Sequence, residues 1–291
     1  MLPAPFAEVR TCKKLRGGLV WPKQMRKYRH VLGIGLQQSL TYRLNFLARA
    51  LFGLIPLFAI ISVWRTIYAG KDGVQVGTYT LAQMISYYLL TLVVDALTAV
   101  NEDDWQIAAD IRDGNISQFL LKPMDYLWYR FALFTAGRVG YMAVAILPIT
   151  LFILSLKSHF VLPANWETLG WFACSVVMTA MLQFFISYAL AMLAFWVLEV
   201  STFIFIVFAF EYIASGHLFP IDILPHGLQS VLMLTPFPYQ LYFPVSIYMG
   251  KTAGADLARG LLIQLGWVVL AYAAARWAWR RGIKHYSAVG G

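Results

Sequence analysis

NEDDWQIAADIRDGNISQFLLKPMDY, from Asn101 to Tyr126, is a polar interruption between two long apolar runs. Six of the chain's 14 acidic residues fall in it: Glu102, Asp103, Asp104, Asp110, Asp113 and Asp125. Asn101 is placed to cap a helix whose first turn sets Glu102, Asp103 and Asp104 against the positive end of the helix. That helix continues through Trp105, Ile107, Ala108 and Ile111 to Arg112, and Gly114 supplies its stop. A second short turn, Ser117 to Leu121, ends at Lys122-Pro123. Exposed Trp105, Ile111 and Phe119 interleaved with acids read as a surface that inserts into another protein. An acidic, solvated loop is the plainer alternative.

The surrounding chain decides where this segment sits. Its 291 residues are 60% hydrophobic and only 13% charged, with a mean hydropathy of +0.64. Soluble domains carry about a quarter charged residues. Runs of roughly 20 apolar residues cross a bilayer, and six are expected here: 44–68, 79–100, 128–156, 169–195, 200–216 and 256–279. The fold class is therefore all-α and membrane-embedded. The net charge of +9 is read as positive charge held on the cytoplasmic side, not as nucleic-acid binding. Nine Lys/Arg precede the first span and Arg280, Arg281 and Lys284 follow the last. This bias puts both termini and the 101–127 loop in the cytoplasm. Cys12 and Cys174 show no disulfide or metal spacing, and His30, His159, His217, His226 and His285 lack ligand spacing.

The chain divides into a basic tail (1–22), an amphipathic interfacial helix (23–43), a six-helix membrane domain (44–285) and a short tail (286–291). In the interfacial helix Met25, Tyr28, Leu32, Leu36 and Leu40 line one face, while Gly33 and Gly35 weaken it. Glu199, Ser201 and Thr202 form the turn between spans four and five, with Ser201 a candidate cap. The 217–255 loop carries Pro220, Pro225, Pro236, Pro238 and Pro244 among many apolar residues. Such backbone survives at membrane depth only when buried in protein or lining a cavity, so an outer re-entrant hairpin is expected. Inside the spans Asp95, Arg138 and Glu211 are costly charges. An Asp95–Arg138 pair is expected between neighbouring spans, or snorkelling of Arg138. Glu211 either attracts a cationic substrate or bonds to the outer hairpin.

IRDGNISQFLLKPMDY resembles the cytoplasmic segment of ABC-2-type transporter permeases, in which a Gly followed by an apolar run ends in Leu-X-X-Pro between spans two and three. The Lys122-Pro123-Met124-Asp125 form is similar to the branch described as multidrug, antibiotic or viologen exporter permeases. SGHLFPIDILPHGLQSVLMLTPFPYQLYFPVSIYMG, Ser215 to Gly250, is similar to the Pro-rich outer segment of the same branch. The resemblance covers residues 25–285 and leaves 1–24 without a counterpart. It implies an ABC-2 exporter fold with an amphipathic connecting helix, a coupling helix and re-entrant helices before span six. It implies a non-catalytic permease subunit in a bacterial cytoplasmic membrane, a separate ABC ATPase subunit that binds ATP and Mg, and a second permease chain, identical or related. No GxxxxGK[ST] phosphate loop occurs in the sequence, and no cofactor is expected on this chain. The ATPase contact then falls on Asp104, Trp105, Asp110, Ile111, Arg112, Gly114, Phe119 and Pro123. The exported substrate is expected to be a drug, antibiotic or other amphiphilic, lipid-like small molecule. An ion-driven secondary transporter and a membrane transferase remain the competing classes, although neither inverted repeats nor a catalytic His/Asp/Glu set is visible.

Overall fold

The computed structural model describes residues 21–69, 75–100, 103–163, 165–197 and 199–286. They form α1 (Trp21–Thr41), α2 (Arg43–Tyr68), α3 (Leu81–Thr98), α4 (Asp103–Arg112), α5 (Asn115–Leu120) and α6 (Tyr126–Ser155). These are followed by α7 (Trp166–Ala191), α8 (Ser201–Ala214), α9 (His226–Leu232), α10 (Tyr242–Tyr248) and α11 (Gly254–His285). Short 3-10 turns lie at 157–159, 192–195, 221–223 and 237–240. Most of the basic tail, Asn101, Glu102 and the last five residues lie outside the described residues.

Among the described residues five helices are long and apolar enough to cross a membrane: α2, α3, α6, α7 with its 3-10 extension, and α11. The architecture is thus an all-α, multi-pass membrane protein. The sixth expected span, 200–216, is a helix of only 14 residues. It is about 21 Å long at 1.5 Å per residue, short of the roughly 30 Å hydrocarbon core. The helix stops because the chain turns at Gly216, whose φ is +100°. Tyr87 Oη of α3 donates to the Gly216 carbonyl at 2.6 Å, and a Cβ on Gly216 would lie 2.6 Å from that hydroxyl. Glu199 caps α8 by accepting from the Ser201 N–H at 3.1 Å. Ser201, expected as the cap, is instead the first helical residue.

Beyond Gly216 the backbone folds through α9 and α10, and every residue of α10 is buried. Two features secure this irregular stretch. Tyr88 of α3 donates to the Leu218 carbonyl and accepts from Trp64 Nε1 of α2 at 2.9 Å. Gln264 of α11, fully buried, donates from Nε2 to the Tyr239 carbonyl at 2.9 Å and accepts at Oε1 from Ser175 Oγ of α7 at 2.9 Å. At that end of the bundle Lys251 Nζ reaches Asp222 Oδ2 at 2.9 Å and Thr78 Oγ1 at 2.7 Å. Burial pushes the Lys251 ammonium below the usual lysine value, against the opposing pull of Asp222.

The remaining packing follows the same logic. α1 lies along α6, and the contact is close because it is made by small residues. A Cβ on Gly35 would sit 2.7 Å from Ala136 Cβ, and one on Gly140 would sit 2.3 Å from Ser39 Cβ. Gly35 is therefore a packing residue. The buried face of α1 is Val31, Gly35 and Ser39, with Tyr28, Leu32 and Leu36 half-buried beside it. Thr80 starts α3 with a reciprocal box, accepting from Gln83 N while Gln83 Oε1 accepts from Thr80 N. Asp125 starts α6 by accepting from Leu127 N and Trp128 N. Replacing Gln264 with Leu strands the hydroxyl of Ser175, so we expect about 1–3 kcal/mol of destabilisation. It is read as a lower thermal midpoint of the purified protein; an unchanged midpoint contradicts the anchoring role.

Candidate functional site: the α4–α5 elbow and a charged cleft

α4 and α5 meet at Gly114, which has φ +81°. This left-handed conformation is one that L side chains adopt at a cost. The elbow therefore depends on the glycine that the sequence singles out. Its inner face is apolar: Ile107, Ile111, Ile116 and Phe119 join the core cluster with Leu127 of α6 and Tyr188 of α7. Ile111 is only 4% exposed and Phe119 only 7%, so neither is a surface knob. Both face inward because a two-helix elbow lying on a bundle must bury one apolar stripe of its own. Outward apolar contact falls to Trp105, to Leu120 and to Leu121, which is 87% exposed. The Ser117–Leu121 turn has nearly the expected extent, and the Phe119–Leu120–Leu121 run divides between the two faces.

The polar residues divide similarly. Asp110 is not an outward contact. Its Oδ2 accepts from Arg130 Nη2 at 2.6 Å and from Tyr126 Oη at 2.8 Å, both on α6. Arg130, buried in the first turns of α6, also donates through Nε to Tyr126 Oη at 3.0 Å and through Nη1 to Gln106 Oε1 at 3.3 Å. Arg112 remains exposed and pairs with Asp113 at 3.2 Å. The Pro123 carbonyl accepts from Lys27 Nζ of α1 at 3.1 Å. The Asp104 side chain lies outside the described residues. Trp105, Ala108 and Arg112 also line a groove of about 130 Å³ whose opposite wall is Glu199, Val200 and Ser201 at the start of α8. α4 thereby faces the root of the short helix.

The second feature is a cleft of about 260 Å³ between α3, α7 and α8. Asp95, Glu211 and His217 line it, with Gln183 and Ser187 of α7 and the rings of Phe208 and Tyr212. The expected Asp95–Arg138 pair does not form. Asp95 meets His217, whose Nε2 lies 3.1 and 3.2 Å from the two carboxylate oxygens. The reason is the break after α8, which carries His217 back toward α3. Arg138 instead sits over the Tyr141 ring at 5.5 Å, in a different cavity shared with Arg49 and the end of α1. Glu211 shares the cleft with Asp95, so two of the three singled-out charges converge and one does not. Among the described residues no cluster of His, Cys, Asp and Glu is arranged to hold a metal ion. Carboxylates and an imidazole of this kind can bind a cation or pass a proton.

Arg130 and His217 belong to these two candidate regions without having been singled out from the sequence. Arg130 had a signal: a lone arginine near the start of an apolar span, one helical turn after Tyr126. His217 had one too, directly after Ser215-Gly216, where a glycine ends an apolar run.

An all-α bundle with a helical elbow at one end and a charged cleft within is the architecture of a multi-pass membrane protein. The family described as ABC-2 family transporter protein matches residues 54–290, and the chain belongs to that family. No curated protein and no solved structure matches the chain significantly.

Removing the Asp110 carboxylate takes away one charged partner of the Arg130 guanidinium, which is 6% exposed. Breaking a fully buried pair costs about 3–5 kcal/mol; with Asp110 31% exposed, Asp110→Ala is expected to cost about 1–3 kcal/mol. Leu121→Ser is expected to stay within about 0.5 kcal/mol. Thermal unfolding of the two variants checks the contrast, and equal midpoints contradict it.

Proposed function

We propose that the chain is the permease subunit of an exporter driven by a separate ATPase subunit, with the α4–α5 elbow as the docking site. The supporting observation is the two-sided construction of that elbow. Its inner face is tied to α6 by Asp110, Arg130 and Tyr126, while Trp105, Leu120 and Leu121 stand outward. A push on the outer face is transmitted because the inner face is held by ion pair and core. ATP and Mg belong to the partner, which supplies hydrolysis; this chain's residues receive the motion and carry the cargo.

The elbow end is cytoplasmic in this reading, as are both termini, and the membrane is the bacterial inner membrane. Two permease chains, identical or related, complete the transporter. Most of the surface of α8 is apolar and exposed, Phe205 and Phe208 included, which suits lipid or that second chain. Alternating access requires the ATP-bound partner to favour one arrangement of the helices by differential affinity. The cleft is the cargo site, and Asp95 and Glu211 with Phe208 and Tyr212 suit an amphiphile carrying positive charge. The re-entrant reading of residues 217–255 is supported by the burial of α10. A second reading, an ion-gradient-driven carrier, is favoured by the Asp95–His217 pair. Transport that persists without ATP and collapses with an uncoupler selects it.

Two outcomes test the first reading. Leu121→Asp places a charge at the exposed apex, so copurification of the ATPase from the native host is expected to fall at least tenfold with thermal midpoint unchanged. Undiminished copurification opposes docking there. Gly114→Val forces a β-branched residue into the left-handed region, at about 1–2 kcal/mol. Transport is expected to fall while ATP turnover continues; normal transport at normal turnover removes the glycine from the mechanism.

A further inference from the structure

His217 is held on three sides in the way an organic cation would be held. Its Nε2 faces the Asp95 carboxylate at 3.1 Å. Its Nδ1 lies 2.7 Å from Ser215 Oγ. Its ring stacks on Tyr212, with centroids 4.8 Å apart and planes inclined by 18°. Carboxylate on one edge and aromatic face on the other is the usual environment for a flat cation. The imidazole sits at the wall of the cleft, not in a sealed core, and the adjoining space is lined by Glu211.

We infer that His217 is an internal competitor for the Asp95 carboxylate, so that the cleft takes a flat organic cation only by displacing the imidazole. This rests on the cleft being the cargo site and adds what governs entry to it. When His217 is protonated, the Asp95–His217 ion pair occupies the position the ligand needs. When the ring is neutral, the contacts with Asp95, Ser215 and Tyr212 are given up without the cost of separating an ion pair. The imidazolium and the ligand therefore compete for one carboxylate, and by linkage protonation of His217 and ligand binding each weaken the other by the same factor. The charged and titratable groups facing His217 are Asp95 from α3 and Glu211 and Tyr212 from α8; α7 contributes the neutral Gln183 and Ser187. Tyr87 and Tyr88 of α3 direct their hydroxyls to the Gly216 and Leu218 carbonyls on either side of it. Those bonds fix the backbone, so displacing the ring is a movement of the side chain alone.

The test uses the full chain in lipid nanodiscs and 1-methyl-4-phenylpyridinium, a flat cation whose charge does not change with pH. Its binding is measured calorimetrically from about pH 5.5 to about pH 7.5, the range in which histidine titrates. The wild type is expected to bind more tightly as pH rises, by up to about tenfold per pH unit, the limit for exchange with one proton. His217→Gln is expected to bind more tightly than wild type at the acid end and to lose the slope. A slope retained in His217→Gln overturns the inference, as does weaker binding at every pH, which makes the histidine a ligand-holding group instead. Asp95→Asn and Glu211→Gln, checked for unchanged thermal midpoint, are expected to lose binding. If both bind the cation as wild type does, the cleft itself is not the cargo site, whatever His217→Gln shows.

Discussion

A backbone that leaves its helix inside an apolar bundle must find every hydrogen-bond partner within the protein. That constraint acts on this chain from Ser215 onward. α8 ends early, and the segment that follows runs through turns and short helices before α11. Tyr87 and Tyr88 accommodate the first carbonyls of the segment, and Gln264 with Thr179 accommodates Tyr239. α3 is consequently the most buried of the long helices, and its tyrosines are spent on a neighbour's backbone. The cleft exists because of the same break. A continuous helix in place of the Gly216 turn would carry residue 217 away from Asp95.

The opposite end of the molecule solves a different problem. α4 and α5 are too short to be stable alone in water, so their position comes from packing and from the Asp110–Arg130–Tyr126 network. A buried network of this kind contributes less to net stability than to fixing one arrangement, because an alternative placement gives up the short Asp110–Arg130 contact. The elbow is thus placed rigidly without being large. The groove it shares with residues 199–201 sets it beside the root of α8, so a single helix runs from the elbow to the cleft.

Much of this was legible in the sequence, and what was not has a physical reason. The apolar runs located every long helix, and Gly114 located the elbow, because hydropathy and positive-φ glycine are local signals. The facing of Ile111 and Phe119 was not legible, since a helix of ten residues with apolar side chains on two sides does not say which side is covered. The partner of Asp95 was not legible either. Proximity in sequence suggested Arg138, whereas His217, 122 residues away, is delivered by a turn at Gly216 that leaves no mark on hydropathy. Residues 200–216 are apolar enough to be read as a span although the helix covers only Ser201–Ala214, because hydropathy does not register where an apolar helix gives way to a turn held by the α3 tyrosines.

Asp125 joins more of the molecule than its size suggests. One carboxylate oxygen caps α6, the other meets Arg276 of α11, and its backbone N–H donates to Tyr28 Oη of α1. Three helices share a single pivot there. Considered as a linkage, that end of the bundle has few independent degrees of freedom: tilting α6 carries α1 and α11 with it. α8 meets the bundle differently, with Ile204 and Ala214 as its buried residues. The helix that carries one wall of the cleft is thus held to the bundle by little buried surface.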